Sequence, residues 1–380
     1  MAEEKPVGLY IHIPFCSRKC DYCDFVSYSM DEEAQKLYLQ GLFKEIDMLK
    51  PDYSDRVFDT IYIGGGTPSI MFDGFYKKLA HKLYSSFHFK PNFEFTIEVN
   101  PESFTNDKFY EYAEAGINRI SIGVQCLDTK MLASHGRLQN VENIKETFEI
   151  LRNSHFDNIS ADVMFGLPGQ TNASVLETVK FLVKHNAKHI SLYSLQIERS
   201  TMLYDKLQRG EIEPISERTQ VDLYTKINKY LAKQGFNRYE VSNYCLPGYE
   251  SKHNSKYWNG SEYLGLGVAA HSFFGGYRYF NTKRLDTYLD AMKEGKYAMY
   301  RKEYVSNSEK RIERIMLCLR TQKGLNLKEF KKEFDEDLLQ TRADKIKLMV
   351  DEGMIEIDGD YLRIADDYFY VSNSIIVELL

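Results

Sequence analysis

No stretch of this chain reaches the ~20 consecutive apolar residues that a membrane span needs. The opening "MAEEKPVGLY" carries acidic residues where a secretory leader would have a basic flank followed by an apolar core of about 7–15 residues. Both absences lead to the expectation of a cytoplasmic protein with no transmembrane segment. Basic residues are not in excess: 49 Lys and Arg face 55 Asp and Glu, a net charge of −6, so a broad nucleic-acid-binding face has no compositional support. Six cysteines in 380 residues are too few for a disulfide framework. Tryptophan is almost missing, with Trp258 standing alone, and neither low-complexity tracts nor internal repeats occur. With 43% hydrophobic and 27% charged residues, the chain has the balance of one large globular domain plus a smaller one.

What is present is an alternation. Short β-branched and aromatic runs at 7–13, 57–63, 93–99, 118–124, 158–164 and 189–195 predict strands. Amphipathic stretches such as 31–50, 106–116, 141–154 and 173–186 predict helices between them. Strand–helix repetition of this kind implies parallel strands joined by right-handed crossovers. Six units are too few for an eight-unit barrel, so the expected fold class is α/β, an incomplete (β/α)6 barrel over residues 1–235. Residues 238–276 are rich in Gly, Asn, Ser and aromatics and read as strands and ordered loops within a connecting segment, 236–300. From 301 to 380, three helical stretches and an Asp-Gly between two short alternating runs, "MIEIDGDYLRI", predict a small winged-helix-like domain.

The residues able to do chemistry collect at the predicted strand ends, where the loops of a β/α sheet build sites. Cys16, Cys20 and Cys23 follow the first strand, "GGGTPS" (64–69) the second, Glu98 closes the third, Gln125 follows the fourth and Asp162 lies in the fifth. Three thiolates spaced C-x3-C-x2-C suit an iron–sulfur cubane with one iron left without a protein ligand. A zinc site is the alternative, and it needs a fourth ligand such as His12 or Asp24. The scattered Cys126, Cys245 and Cys318 read as small buried hydrophobes.

C-x3-C-x2-C with an aromatic, Tyr22, before the last cysteine resembles the signature of radical S-adenosylmethionine proteins, and "GGGTP" resembles that family's segment for the methionine amine. "LYIHIPFC", "YIGGGTPS", "EVNPES", "RISIGVQ", "DVMFGLPGQT" and "HNSKYW" extend the likeness over residues 9–258 to the branch that holds oxygen-independent coproporphyrinogen III dehydrogenases and related heme chaperones. The resemblance implies a [4Fe–4S] cluster on Cys16, Cys20 and Cys23, and S-adenosylmethionine against Tyr10, Gly66, Thr67, Glu98, Gln125, Arg137 and Asp162. It also implies an electron donor such as flavodoxin or ferredoxin. Gln139 stands where relatives often carry His, and no ligand role is drawn from it.

Two departures from the dehydrogenase favour the chaperone. Phe25 occupies the position of that enzyme's fourth cysteine, and only fifteen residues precede Cys16. "HNSKYW" matches the H-N-x-x-Y-W pattern associated with heme in the chaperones, implying His253 as an axial ligand with Tyr257 and Trp258 against the porphyrin. His271 is a second candidate ligand. The expected function is therefore transfer of heme to an acceptor apoprotein, and the alternative is oxidative decarboxylation of coproporphyrinogen III.

Overall fold

The structure, a computed structural model, describes residues 5–29 and 31–380. Six strands alternate with helices: β1 (Val7–Ile13), β2 (Val57–Gly65), β3 (His88–Val99), β4 (Arg119–Gln125), β5 (Ile159–Phe165) and β6 (His189–Ser194). Consecutive members pair in parallel throughout. β1 and β4 are buried along nearly their whole length, as continuous apolar strands covered on both faces should be. The crossover helices begin on the residues that satisfy their free N–H groups. Asn140 and Thr171 each form reciprocal capping boxes, and the Asp31 and Thr105 side chains accept from the first turn of their helices.

The later chain adds β7 (Asn237–Arg238), β8 (Asn243–Cys245), β9 (Tyr263–Leu266), β10 (His271–Phe274), β11 (Tyr277–Asn281) and β12 (Met299–Tyr304) to the same sheet. The order is β12-β11-β10-β9-β1-β2-β3-β4-β5-β6-β8-β7, which is open and does not close into a full barrel. β9 lies parallel to β1, so the parallel row has seven strands where the sequence showed six. A four-residue strand supplied from 250 residues downstream carries no crossover pattern that periodicity could register.

The segment 238–276, read as strands and loops, also contains a helix, Lys252–Asn259, holding all of "HNSKYW". Tertiary contacts make it. The Glu94 carboxylate accepts from the backbone N–H groups of Lys252 and His253, Ser251 accepts from that of Asn254, and Gly260 ends the helix at φ 68°. Gly8 lets the helix lie against β1, because a Cβ there would sit 2.8 Å from Lys256 Cδ.

The C-terminal portion packs the helices Asn307–Cys318, Leu327–Phe334, Ala343–Asp351 and Ser372–Leu379 around a second core that includes Ile315, Leu319, Phe330 and Leu362. β13 (Leu325–Asn326), β14 (Ile355–Asp358) and β15 (Tyr361–Ile364) form its sheet. In the β14–β15 hairpin Asp358 pairs with Tyr361 and Gly359 takes φ 57° in the two-residue turn. Arg238 ties this portion to the barrel: it bonds Asp366 at 2.6 Å and Gln322 at 2.7 Å, with its guanidinium 3.6 Å from the Phe369 ring centroid. Among the described residues no helix is long and apolar enough to cross a membrane.

Candidate functional site

The loop after β1 is fastened at both ends. Cys16 N–H donates to the Tyr28 carbonyl, and Tyr28 N–H to that of Pro14. Asp21 N–H reaches the His135 carbonyl, and the Asp21 carboxylate takes Lys206 at 2.6 Å. Cys16, Cys20 and Cys23 all line one cavity of about 400 Å³. Burial pushes the three thiols up, while the Arg137 guanidinium pulls them the other way. Among the described residues no three His, Cys, Asp or Glu side chains are grouped to hold a single metal ion. The two candidate fourth zinc ligands are engaged elsewhere: His12 with the Tyr10 hydroxyl and the Val26 carbonyl, Asp24 with the Ser200 hydroxyl.

The glycine run sits directly under this loop. Gly66 N–H donates to Ile13 O and Thr67 N–H to Phe15 O, both at 2.7 Å, and the Thr67 hydroxyl lies 3.4 Å from Cys16 Sγ. A Cβ on Gly66 would come within 2.5 Å of Phe15 O and 3.0 Å of Cys16 Sγ. Gly65 takes φ 114°, and a Cβ there would strike the His12 ring. These two glycines are demanded by the chain's own cysteine loop and His12.

Four of the anticipated polar residues, Glu98, Gln125, Arg137 and Asp162, line the same cavity as Gly66 and Thr67. Glu98 accepts from Tyr62 OH at 2.7 Å and from Gly65 N–H at 3.2 Å; desolvation, reinforced by the Asp162 carboxylate, pushes it up to about 7. Asp162 is raised in turn by burial. Arg137 donates to Tyr22 OH at 2.8 Å and to Asn100 Oδ1 at 3.0 Å. Gln125 adopts φ 65°, a left-handed conformation unusual outside glycine, and its buried Oε1 has no hydrogen-bond partner among the described residues. Gln139 is buried and donates to the Gly123 and Val124 carbonyls, a role within the fold at the end of β4.

Tyr10 lies elsewhere. It lines a second cavity, of about 440 Å³, together with Asn254, Tyr257 and Trp258. The two cavities share Phe25, Gly65, Glu98 and Tyr193. His253, expected as an axial heme ligand, has both ring nitrogens bonded within the fold. It is fully buried, with Nδ1 bonded to Thr60 Oγ1 and Nε2 to Tyr257 OH, each at 2.9 Å. Burial, with Lys256 and Arg119 nearby, pushes its imidazole down to about 3 and holds it neutral. The reason is the helix: it turns His253 toward β2 and Tyr257, one turn on, toward the cavity. His271 lies outside both cavity walls, on β10, stacked on Phe280 at 4.8 Å.

Sequence reasoning missed Tyr62, Asn100, Met164, Tyr193 and Glu240, all of which line one or both cavities. Tyr62 and Asn100 lie beside flagged residues, and strand alternation from Asp162 would have found Met164. Nothing local distinguishes Tyr193 or Glu240.

A family model described as the radical SAM superfamily matches residues 10–182, and one described as the HemN C-terminal domain matches residues 305–366. The heme chaperone HemW of Lactococcus lactis is 32% identical, covering 99% of this chain and 98% of its own length. HemW of Bacillus subtilis is 33% identical over 91% of this chain and 92% of its own, and HemW of Escherichia coli 33% identical over 71% of each. The solved structure of coproporphyrinogen III oxidase HemN from Escherichia coli superposes with a TM-score of 0.85 over 99% of this chain and 90% of that one; at 22% identity it establishes the fold. Full-length likeness at this level places the chain in the HemW family of the radical SAM superfamily.

Proposed function

We propose that this protein is a heme chaperone: it holds a [4Fe–4S] cluster on Cys16, Cys20 and Cys23, binds S-adenosylmethionine in the first cavity, and takes heme into the second for delivery to an acceptor protein. The observation that carries this reading is the shared wall. One cavity presents three thiols, the adjoining one presents Tyr257 and Trp258, and Phe25, Gly65, Glu98 and Tyr193 belong to both.

The residues fit these groups. Three thiols lining one cavity, with His12 and Asp24 engaged elsewhere, suit a cubane, which takes each thiolate on a different iron. When bound, the cluster would supply one-electron chemistry and an iron with an open coordination position. Gln125 Oε1, buried without a partner, is an acceptor waiting for a ligand N–H or O–H. Arg137, fixed by Tyr22 and Asn100, offers positive charge to a carboxylate, and Glu98 and Asp162 accept from hydroxyl or amine groups. Trp258 offers aromatic surface to a flat macrocycle, and Tyr257 an aromatic ring that ends in a hydroxyl. Phe25, with 63% of its surface exposed at the junction, adds apolar area where the dehydrogenase carries a thiol. We assign residues 1–235 to the cluster and S-adenosylmethionine, 236–300 to heme, and 301–380 to the docked C-terminal portion. The setting is cytoplasmic, with a flavodoxin- or ferredoxin-like donor.

Anaerobic reconstitution followed by hemin titration, hemin transfer to an apo-heme protein, and product analysis with coproporphyrinogen III tests this on one sample. Saturable hemin binding and transfer without decarboxylation are expected. Steady formation of protoporphyrinogen IX would overturn the reading in favour of the enzyme.

A further inference from the structure

We propose that Tyr257 supplies the oxygen ligand to ferric heme iron in the second cavity, and that His253 acts through it as a positioning residue. This rests on the reading that heme occupies that cavity.

The geometry favours the phenol over the imidazole. Tyr257 lines the cavity, whereas His253 lies behind it with both nitrogens used. Reaching iron with His253 would break two buried hydrogen bonds and disturb a ring stacked 5.3 Å from Tyr62. Presenting Tyr257 requires neither. Tyrosinate is an established class of heme ligand, and its anionic oxygen suits ferric iron.

A second pair of the same kind borders the cavity, Tyr10 with His12 at 3.0 Å, and hydrogen-bond accounting separates the two. His12 Nε2 faces the Val26 carbonyl, which only accepts, so the neutral ring carries its proton there and Nδ1 must accept from Tyr10. Loss of the Tyr10 proton would set a phenolate against a ring lone pair. His253 is held instead by two hydroxyls, Thr60 and Tyr257, either of which can donate or accept. The neutral imidazole can therefore change tautomer: Thr60 donates to Nδ1, and Nε2–H donates to the phenolate. The step balances simply. The iron–oxygen bond forms, the phenol O–H breaks, its proton leaves to solvent, and no electron moves.

The test is hemin titration of the full chain with resonance Raman detection of phenolate ring modes, comparing the unmodified protein with Tyr257→Phe, Tyr10→Phe, His253→Gln and His253→Leu. The modes should appear in the unmodified protein and in Tyr10→Phe, and vanish in Tyr257→Phe with a loss of hemin affinity of about tenfold or more. His253→Leu, which removes the donor, should shift the phenolate bands, and His253→Gln, which keeps an N–H donor, should restore much of their position. Bands that survive in Tyr257→Phe and vanish in Tyr10→Phe overturn the assignment in favour of Tyr10. A nitrogen-ligated spectrum lost in both His253 variants and kept in Tyr257→Phe overturns it in favour of His253. Saturable hemin binding indifferent to all four variants sinks the ligand assignment alone. Absence of saturable binding in the unmodified protein sinks the heme reading itself.

Discussion

Glu94 on β3 holds the first turn of the helix Lys252–Asn259 from 159 residues away, accepting the His253 N–H at 3.0 Å and that of Lys252 at 2.9 Å. A carboxylate at a helix N-terminus satisfies free donors and meets the positive end of the helix dipole. Glu94→Ala should therefore cost about 2 kcal/mol of stability in urea unfolding. It should also weaken hemin binding, because Tyr257 and Trp258 ride on that helix. Iron and sulfide content should stay at the unmodified level, since Glu94 does not touch the cysteine loop. A hemin affinity unchanged by Glu94→Ala would argue against this helix as the heme platform.

Gly66→Ala should damage the cluster site while leaving the fold intact. The added methyl meets a backbone carbonyl at 2.5 Å and Cys16 Sγ at 3.0 Å, and the carbonyl cannot rotate aside. The loop must shift, at a cost of about 1–3 kcal/mol. The checks are far-ultraviolet circular dichroism, expected to be unaltered, and iron and sulfide after reconstitution, expected to fall well below one cluster per chain.

Single alanine replacements of Cys16, Cys20 and Cys23 should each abolish the reconstituted cluster's absorption and paramagnetic signal. The same change at Cys126, Cys245 or Cys318 should not, because these lie outside the cysteine-lined cavity. Full iron and sulfide in all three loop variants would remove the cluster from this loop.

Glu98 predicts a pH dependence with a definite sign. Its folded-state value, about 7, lies above the ordinary 4.5, so between these values the folded protein holds a proton that the unfolded chain has lost. The contribution of Glu98 to stability is thus greatest below pH 4.5, falls as pH rises, and levels off above about 7, a swing on the order of 1–3 kcal/mol. Glu98→Gln removes the titration. The variant should gain stability relative to the unmodified apoprotein by that amount between pH 4.5 and 8, measured by urea unfolding at both ends. A constant difference across the range would show that Glu98 keeps its ordinary value.

The sequence by itself determined what local pattern and chemistry can encode. Continuous apolar runs such as 7–13 are strands because both faces are covered, and caps such as Asn140 and Thr171 start helices within their own few residues. The cysteine spacing, the glycine run and the acidic and amide residues at strand ends were legible for the same reason: successive parallel strands deliver their ends to one rim. Tertiary structure alone decided the rest. "KHNSKYWN" has weak helix propensity and becomes a helix because Glu94, distant in sequence, satisfies its first donors. That helix sends His253 inward and Tyr257 to the cavity wall, a placement the motif alone did not reveal. Tyr10 shares its sheet face with Glu98 and Asp162, and it borders the second cavity because residues distant in sequence, Tyr257 and Trp258 among them, pack around it. β9 joined the parallel row through backbone bonds to β1 that no periodicity records.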